Sequence, residues 1–278
     1  MIKARTSNTL DMATAVRILT YNVHKCRGLD RRILPARILE VLRESNADII
    51  ALQEVLNIPG HPAKYQAQFF TRELGFDACF GENRRVTGGT YGNLLLSRFP
   101  LSGCQNHDIT TLGREQRGCL RADIVIAGTV LRVFNVHLGT SFFERRHQAR
   151  KLVSKEIIHS RPFHGSRVVL GDFNEWTRGL VSELLSRDFR SVDLLAHLGR
   201  TRTYPGLLPL LHLDHIYFDP ALKLEHLTIH KTRTALIASD HLPLIADFRL
   251  ETFALDSQPH GSWNSMKYSA LSRGAGAV

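Results

Sequence analysis

The chain has 278 residues, of which 43% are hydrophobic, and it carries a formal net charge of +10 from 36 Lys and Arg against 26 Asp and Glu. The apolar content supports a substantial core and excludes an intrinsically disordered chain. No segment has the apolar length of a transmembrane helix or of a secretory signal, so we expect a cytoplasmic protein, with peripheral contact to a membrane as an alternative.

The first half of the chain alternates strand-like runs with helical patterns. An apolar stripe at helical spacing, which includes Ile38, Val41 and Leu42, indicates the first helix. The predicted strands cover residues 17–22, 48–54, 76–80 and 91–97, and the predicted helices cover residues 33–45 and 62–74. Residues 1–15 are polar and aperiodic, so we expect a flexible N-terminal segment there.

The second half begins with a predicted hairpin. Strands at 121–126 and 130–136 flank a turn that contains Gly128. A basic helix is predicted from 143 to 159, and its charges are typical of a solvated face. The remaining strands are predicted at 167–172, 213–218, 222–230 and 243–250.

Some predicted strands are joined directly by short turns and others through helices. This mixture predicts an α/β fold with two mixed β-sheets packed face to face and helices on both outer sides. Residues 16–251 then form a single catalytic domain, since no internal boundary or repeat is visible. Residues 252–278 are rich in Ser, Gly and Ala, and we expect a flexible C-terminal tail.

Polar side chains end several of the predicted strands. The run from Val168 to Leu170 leads directly into Asp172 and Asn174, which alternation would place on one face of the strand tip. The other polar residues at strand ends are Asn22, Glu54, His137, Asp240 and His241. Because an unpaired buried polar group costs roughly 1 to 3 kcal/mol, we expect these side chains to converge on one another, on water or on a metal.

Seven motifs in order give the chain a family resemblance. They are Thr20-Tyr21-Asn22, Gln53-Glu54, Gly92 to Arg98, Asn135 to Leu138, Gly171 to Asn174, Leu213 to Ile216 and Ser239-Asp240-His241. Over residues 17–250 this set resembles the endonuclease/exonuclease/phosphatase superfamily, which includes deoxyribonuclease I, apurinic endonucleases, neutral sphingomyelinases and inositol polyphosphate 5-phosphatases. The resemblance implies a four-layer α/β sandwich and a metal-dependent phosphoesterase.

The resemblance also implies a metal site. Glu54 would be the principal ligand, with Asn22 and Asp240 completing or orienting the shell. Carboxylate and amide oxygens suit Mg²⁺, for which Mn²⁺ could substitute.

Catalytic roles follow from the same motifs. His241 would act as general base with Asp214 as its orienting partner, and Asp172 is an alternative base. His137 would contact the phosphate or protonate the leaving oxygen, while Asn174 would orient the phosphate or the water.

Two further residues are candidates for binding the substrate phosphate. Arg117 could clamp a phosphate through two parallel hydrogen bonds, although a surface ion pair is an equally good interpretation. Asn93 belongs to the third of the shared motifs. Arg145 and Lys151 on the basic helix are candidate contacts for a larger polyanion.

The net charge favours an anionic phosphodiester substrate, either a nucleic acid or an anionic lipid. We expect a nuclease-like phosphodiesterase of the endonuclease type. One alternative is a phosphodiesterase acting on phospholipid or sphingomyelin headgroups at an anionic membrane, and another is a catalytically silent anion-binding module. The sequence does not indicate an oligomeric state.

The four cysteines lack a metal-binding pattern. Cys26, Cys79, Cys104 and Cys119 contain no CxxC pair and no spacing to His that suggests zinc. We therefore interpret them as free or buried thiols in a reducing compartment, with one disulfide as the alternative.

Overall fold

The computed structural model describes residues 12–160, 163–175, 179–191, 203–204 and 211–252. In this part of the chain the fold consists of two six-stranded sheets with helices packed on them. The strands are β1 (Met12–Asn22), β2 (Ile49–Asn57), β3 (Asp77–Val86), β4 (Gly89–Ser97), β5 (Leu101–Asp108), β6 (Gly118–Ile126), β7 (Thr129–His137), β8 (Ser166–Asp172), β9 (Arg190–Ser191), β10 (Asp214–Phe218), β11 (Lys223–Ile229) and β12 (Leu244–Thr252). The helices are α1 (Pro35–Ser45), α2 (Gln66–Leu74), α3 (Phe142–Leu152), α4 (Leu180–Leu185) and α5 (Ala235–Ala238).

Each sheet contains one parallel pair among antiparallel neighbours. The first sheet has the order β11-β12-β1-β2-β4-β3, and the second has the order β5-β6-β7-β8-β10-β9. The parallel pairs are β1 with β2, joined through α1, and β7 with β8, joined through α3. A parallel pair needs such a crossover, which explains why helices follow β1 and β7. The prediction of two mixed sheets is confirmed.

Two apolar clusters show how the layers pack. The first contains side chains from both sheets together with Ile38 of α1 and Phe70 of α2. The second packs Leu152 of α3 and Leu185 of α4 against Phe134 of β7. Helices therefore cover both sheets, and the four-layer sandwich is confirmed. No helix among the described residues is long and apolar enough to cross a membrane.

Strand β1 is longer than predicted. It begins at Met12, where it pairs with Thr252 of β12, so residues 12–15 belong to the sheet and not to a flexible segment. The remainder of the two expected flexible ends, residues 1–11 and 253–278, lies outside the described residues. Strand β5 was not predicted, since its run of Ser, Gly, Gln and Asn lacks apolar alternation.

Helix α3 also departs from the prediction. It ends at Leu152, seven residues earlier than expected, and its basic side chains are not simply solvated. Arg145 is buried, and its guanidinium donates to the carbonyl oxygens of Gly139 at 3.2 Å and Thr140 at 2.6 Å. Lys151 Nζ donates to the carbonyl oxygen of Thr110 at 3.1 Å. Both residues therefore hold loops in place, which corrects their expected role as exposed contacts for a polyanion.

A disulfide joins the two sheets at their edges. Cys79 on β3 and Cys104 on β5 are bonded, with their Cα atoms 5.9 Å apart. The interpretation of all four cysteines as thiols is therefore wrong for this pair, whereas Cys26 and Cys119 are free and buried. Sequence spacing gave no signal, because the partners come from different sheets. Disulfides persist mainly in oxidising compartments, so this bond does not favour the reducing compartment that we expected.

Loss of the disulfide should destabilise the fold. We expect Cys104→Ser to lower the free energy of unfolding by about 2 to 4 kcal/mol, because the bond restricts the unfolded chain. Urea unfolding with and without a reducing agent measures the change. The reductant should destabilise the wild-type protein by the same amount and leave the variant unchanged. Equal stability of the variant and the oxidised wild type would contradict a structural role for the bond.

Candidate active site

One end of the sandwich collects the polar side chains that end the strands. The parallel strands β1 and β2 run towards this end, as do β7 and β8, while β10 starts from it. Asn22, His137 and Asp172 are the last residues of their strands, Asp214 is the first residue of β10, and Glu54 lies within β2. The expected convergence of these residues at one edge follows from this topology.

The carboxylate of Asp172 lies at the centre of the cluster. It is 1% exposed, and its Oδ2 accepts a hydrogen bond from Asn22 Nδ2 at 3.0 Å. The same oxygen lies 3.6 Å from Nε2 of His137 and 3.6 Å from Nε2 of His241. Because Asn22 belongs to the first sheet and Asp172 to the second, the site is built where the two sheets meet.

Gly171 makes this arrangement possible. Its φ is +140°, and a Cβ atom at this position would lie 1.9 Å from the carbonyl oxygen of Val136 on the neighbouring strand. Any side chain would therefore push β7 and β8 apart. In this register Gly171 lies opposite Val136 and His137 opposite Asp172, and the close approach accounts for the glycine before the acid in this motif.

His241 is held by a buried carboxylate. Its Nδ1 lies 3.0 Å from Oδ2 of Asp214, which has no exposed surface. Burial disfavours the charged ring, but the negative charges of Asp214 and Asp172 outweigh it and raise the pKa of His241 to about 10. In the metal-free site the charges of Asp214 and Asp172 therefore favour the imidazolium form of His241.

His137 has the opposite protonation. Arg117 Nη1 lies 2.8 Å from His137 Nδ1, and because a guanidinium can only donate, Nδ1 accepts and the ring proton lies on Nε2, facing Asp172. Burial and the charge of Arg117 lower the pKa of His137 to about 4. The ring is therefore neutral near pH 7 and acts as a hydrogen-bond donor.

Arg117 itself has little access to a ligand. It is 7% exposed, and its second terminal nitrogen donates to Glu115 Oε2 at 2.9 Å. Both terminal nitrogens of the Arg117 guanidinium are therefore hydrogen-bonded to other side chains of the protein. The geometry supports a positioning role, in which Arg117 fixes the tautomer of His137, over the expected phosphate clamp.

Glu54 reaches the site through an irregularity in β2. The register with β4 shifts between Leu52 and Val55, and Glu54 adopts a left-handed conformation with φ of 59°. Gln53 reaches the second sheet, where its Nε2 donates to Asn135 Oδ1 at 2.8 Å, and the next residue, Glu54, reaches Asn22 and Lys25 at the strand end. Regular alternation would have turned one of these two side chains away.

The Glu54 carboxylate is ionised. Lys25 Nζ lies 2.6 Å from its Oε2, and Asn22 Nδ2 lies 3.4 Å from its Oε1. Burial opposes ionisation, but positive charge from His137, when that ring is protonated, and from Lys25 overcomes it and lowers the pKa of Glu54 to about 2. Since His137 is neutral near pH 7, Lys25 is the cation that remains.

These residues fit a hard divalent cation. Glu54 offers a charged oxygen, and Asn22 Oδ1 accepts the backbone N–H of His24 at 3.0 Å. Asp240 Oδ1 lies 3.4 Å from His24 Nδ1, at the border of the same cluster. Among the described residues no group of three or more His, Cys, Asp or Glu side chains is arranged as a metal cage. The carboxylate and amide oxygens of Glu54, Asn22 and Asp240 suit Mg²⁺, which takes one or two carboxylates and keeps several waters, better than zinc, which prefers nitrogen and sulfur ligands.

His24 and Lys25 are site residues that the sequence did not reveal. They follow Asn22 in a 3-10 turn, His24–Cys26, in which all three residues have positive φ, from 44° to 60°. Such backbone is strained for residues with side chains and is often retained at functional sites. The turn directs Lys25 to Glu54 and His24 to Asp240. The only available signal was their position directly after the strand end.

Two predicted residues lie beside the cluster. Strand β8 ends at Asp172, so Asn174 does not share a strand face with it; Asn174 has φ of 49° and donates from Nδ2 to the carbonyl oxygen of Leu138 at 2.9 Å. Asn93 has no exposed surface and donates to the carbonyl oxygens of Gly118 at 3.2 Å and Asn135 at 3.3 Å. These bonds support a role for Asn93 in joining the sheets below the site, and the expected phosphate contact stays a prediction.

Known proteins resemble the chain in sequence and fold. The sequence profile of the Endonuclease/Exonuclease/phosphatase family matches residues 19–241. The uncharacterized protein YbhP of Escherichia coli K12 is 32% identical over 246 residues, which cover 84% of this chain and 96% of YbhP. The structure of Danio rerio TDP2 complexed with a single-strand DNA product has a TM-score of 0.64 at 20% identity, covering 84% of this chain and 99% of that one. A mannosyl-6-phosphatase from Bacteroides thetaiotaomicron has a TM-score of 0.68 at 15% identity, with coverages of 84% and 99%.

The two site histidines should titrate at opposite extremes. In metal-free protein we expect His241 to lose its proton near pH 10 and His137 to remain neutral until the pH falls to about 4. Asp214→Asn removes a facing charge and should lower the pKa of His241 markedly. Ring nitrogen chemical shifts measure both titrations, and Asp188→Asn, which alters a surface carboxylate beside His159, is the control. Titration of wild-type His241 near its ordinary value of 6.5 would contradict the described charge arrangement.

Proposed function

Because the chain belongs to the endonuclease/exonuclease/phosphatase family, whose members are hydrolases of phosphoester bonds and generally use divalent metal ions, we propose that it is a Mg²⁺-dependent phosphodiesterase. The observation that carries the proposal is the cluster around Asp172. The buried carboxylate of Asp172 lies beside the side-chain amide of Asn22 from the first sheet and beside the imidazoles of His137 and His241, one neutral and the other protonated. A catalytically silent module would have no need of this arrangement.

The charge balance favours a diester over a monoester. Each cation of the site is matched by a carboxylate: Lys25 by Glu54, His241 by Asp214, and Arg117 by Glu115. A phosphodiester carries one negative charge, whereas a phosphate monoester carries about 1.5 to 2 near pH 7. With the side-chain cations already paired, less positive charge is left for the phosphate, which favours the single charge of a diester.

Glu54, Asn22 and Asp240 are the residues that would hold Mg²⁺, which when bound would stabilise negative charge on the phosphoryl oxygens. We assign Asp172 as the acceptor of the proton of the attacking water, because the charges of Asp214 and Asp172 favour a protonated His241 in the metal-free site. His241 as the base is the alternative assignment. The phosphorus–oxygen bond to the leaving group then breaks, the departing alkoxide takes a proton from solvent to become the alcohol, and Asp172 releases its proton to solvent.

The two histidines act as donors in this scheme. His241, held by Asp214, offers its Nε2–H and its positive charge to a phosphoryl oxygen. His137 offers a neutral Nε2–H, whose position Arg117 fixes. A ring with a pKa of about 4 is a poor source of a full proton near neutral pH, so hydrogen bonding to the phosphate is the better-supported of the two roles expected for His137.

Two classes of phosphodiester substrate are candidates. The net charge of +10 supports a polyanion, and the fold neighbour TDP2 binds a single-strand DNA product, so a nuclease-like activity stays a prediction. The second candidate is the headgroup diester of a phospholipid. Exposed apolar side chains around the site favour it, as described in the next subsection.

Removal of the Glu54 charge should abolish metal-dependent turnover. We expect Glu54→Gln to lose at least about 100-fold in Mg²⁺-dependent hydrolysis of bis(4-nitrophenyl) phosphate, because the neutral amide is a weaker ligand for a hard cation. Glu225→Gln, which changes a surface glutamate paired with Arg249, is the matched control and should keep full activity. Thermal unfolding verifies that both variants fold. Full Mg²⁺-dependent turnover by folded Glu54→Gln would overturn the assignment.

The same assay tests the preference for diesters. We expect the wild-type protein to hydrolyse bis(4-nitrophenyl) phosphate faster than 4-nitrophenyl phosphate at equal concentration. Faster turnover of the monoester would favour a phosphatase.

A further inference from the structure

The exposed large apolar side chains are concentrated at one end of the molecule. Across the described residues, every large hydrophobic side chain with substantial exposure lies in a segment that borders the active site. The members are Leu29, Leu34, Leu112, Phe142, Phe143 and Ile237, and we call them the apolar rim. Single exposed apolar residues are common on soluble proteins, but here all of those among the described residues lie at one end.

The first part of the apolar rim lies beside the metal-binding side of the site. Leu29 and Leu34 are in the segment that connects the turn at Lys25 to helix α1, and Ile237 is in helix α5, three residues before Asp240. The backbone N–H of Leu29 donates to the carbonyl oxygen of Ile237 at 3.0 Å, so the two segments touch.

The second part lies beside His137. Leu112 is completely exposed in the loop that leads from β5 to Arg117. Phe142 and Phe143 begin helix α3, a few residues after His137, and Phe143 is 79% exposed. Because β6 starts and β7 ends at the site end of the second sheet, both segments lie at that end.

Basic residues accompany the apolar rim. The same segments expose Arg27, Arg31, Arg32, Arg114, Lys231 and Arg233. The acidic residues among them are paired, Asp30 with Arg37 and Glu115 with Arg84 and Arg117. The surface around the site is therefore both apolar and positively charged.

We propose that the apolar rim docks this end of the protein on an anionic phospholipid bilayer, which presents a headgroup diester to the site. The inference rests on the proposed function for its substrate class. A bilayer interface buries aliphatic and aromatic side chains while its anionic headgroups attract basic ones. Nucleic acid would use the basic residues and could stack on the phenylalanines, but it offers no comparable partner for Leu29, Leu112 or Ile237.

Vesicle sedimentation tests the docking surface. Wild-type protein should sediment with vesicles of phosphatidylglycerol and phosphatidylcholine, and much less with phosphatidylcholine alone. The double variant Leu112→Ser, Phe143→Ser should bind the anionic vesicles at least about tenfold more weakly, because each side chain would bury apolar area in the bilayer. Both side chains are exposed, so turnover of bis(4-nitrophenyl) phosphate should be unchanged.

A pair of charge reversals provides a matched control. Arg114→Glu alters the surface beside Leu112, whereas Lys223→Glu makes the same charge change at the start of β11, which lies at the opposite end of the sandwich. We expect Arg114→Glu to weaken binding to anionic vesicles and Lys223→Glu to leave it nearly unchanged. Equal losses in the two variants would overturn a localised docking surface.

Further outcomes separate the docking inference from the proposed function. A wild-type protein that hydrolyses the soluble diester but does not sediment with anionic vesicles would overturn the docking inference alone. If vesicles are bound through the apolar rim but no diester is cleaved, docking stands and the proposed function fails. Binding of single-stranded DNA that the double variant loses, without vesicle binding by the wild type, would assign the surface to nucleic acid and overturn the lipid proposal.

Discussion

The active site depends on the hydrogen bond between Asn22 and Asp172, which joins the two sheets. The bond joins the last residue of β1 in the first sheet to the last residue of β8 in the second, at 3.0 Å. Below it, buried polar contacts from Gln53 and Asn93 to Asn135 also cross between the sheets. A buried polar group needs its partner, so these contacts fix one relative position of the sheets that apolar packing alone would specify less tightly. The site exists only in that position.

Two histidines that face the same carboxylate, Asp172, differ in protonation. His241 faces Asp214 as well as Asp172 and holds its proton, whereas His137 faces Arg117 and remains neutral. Burial and the charge of Arg117 keep His137 neutral, whereas the charges of Asp214 and Asp172 outweigh burial at His241. The difference leaves Asp172 as the group best placed to accept a proton from water, although the sequence alone favoured His241. Neighbours from distant segments, and not residue type, assign the chemical roles.

The sequence predicted those features that depend on local pattern. Apolar runs ending in Asn22, His137 and Asp172 located the strand ends, and the order of the motifs predicted the sandwich. Features that depend on contacts between distant parts of the sequence were missed. They are the left-handed turn that brings Lys25 to Glu54, and the disulfide between edge strands of different sheets. The apolar rim was also missed, because single apolar residues in separate loops form no pattern in the sequence and are brought to one end only by the topology.

The measurement that tests the central claim most directly is the turnover of Asp172→Asn on bis(4-nitrophenyl) phosphate with Mg²⁺. The amide preserves the size of the side chain but cannot take a proton from water, so we expect a loss of about 10² to 10⁴ in kcat while thermal unfolding shows a folded protein. Asp188→Asn, a surface change of the same kind, should retain full activity. Wild-type turnover by folded Asp172→Asn would contradict the account, because the carboxylate around which the site is built would then be dispensable for the chemistry.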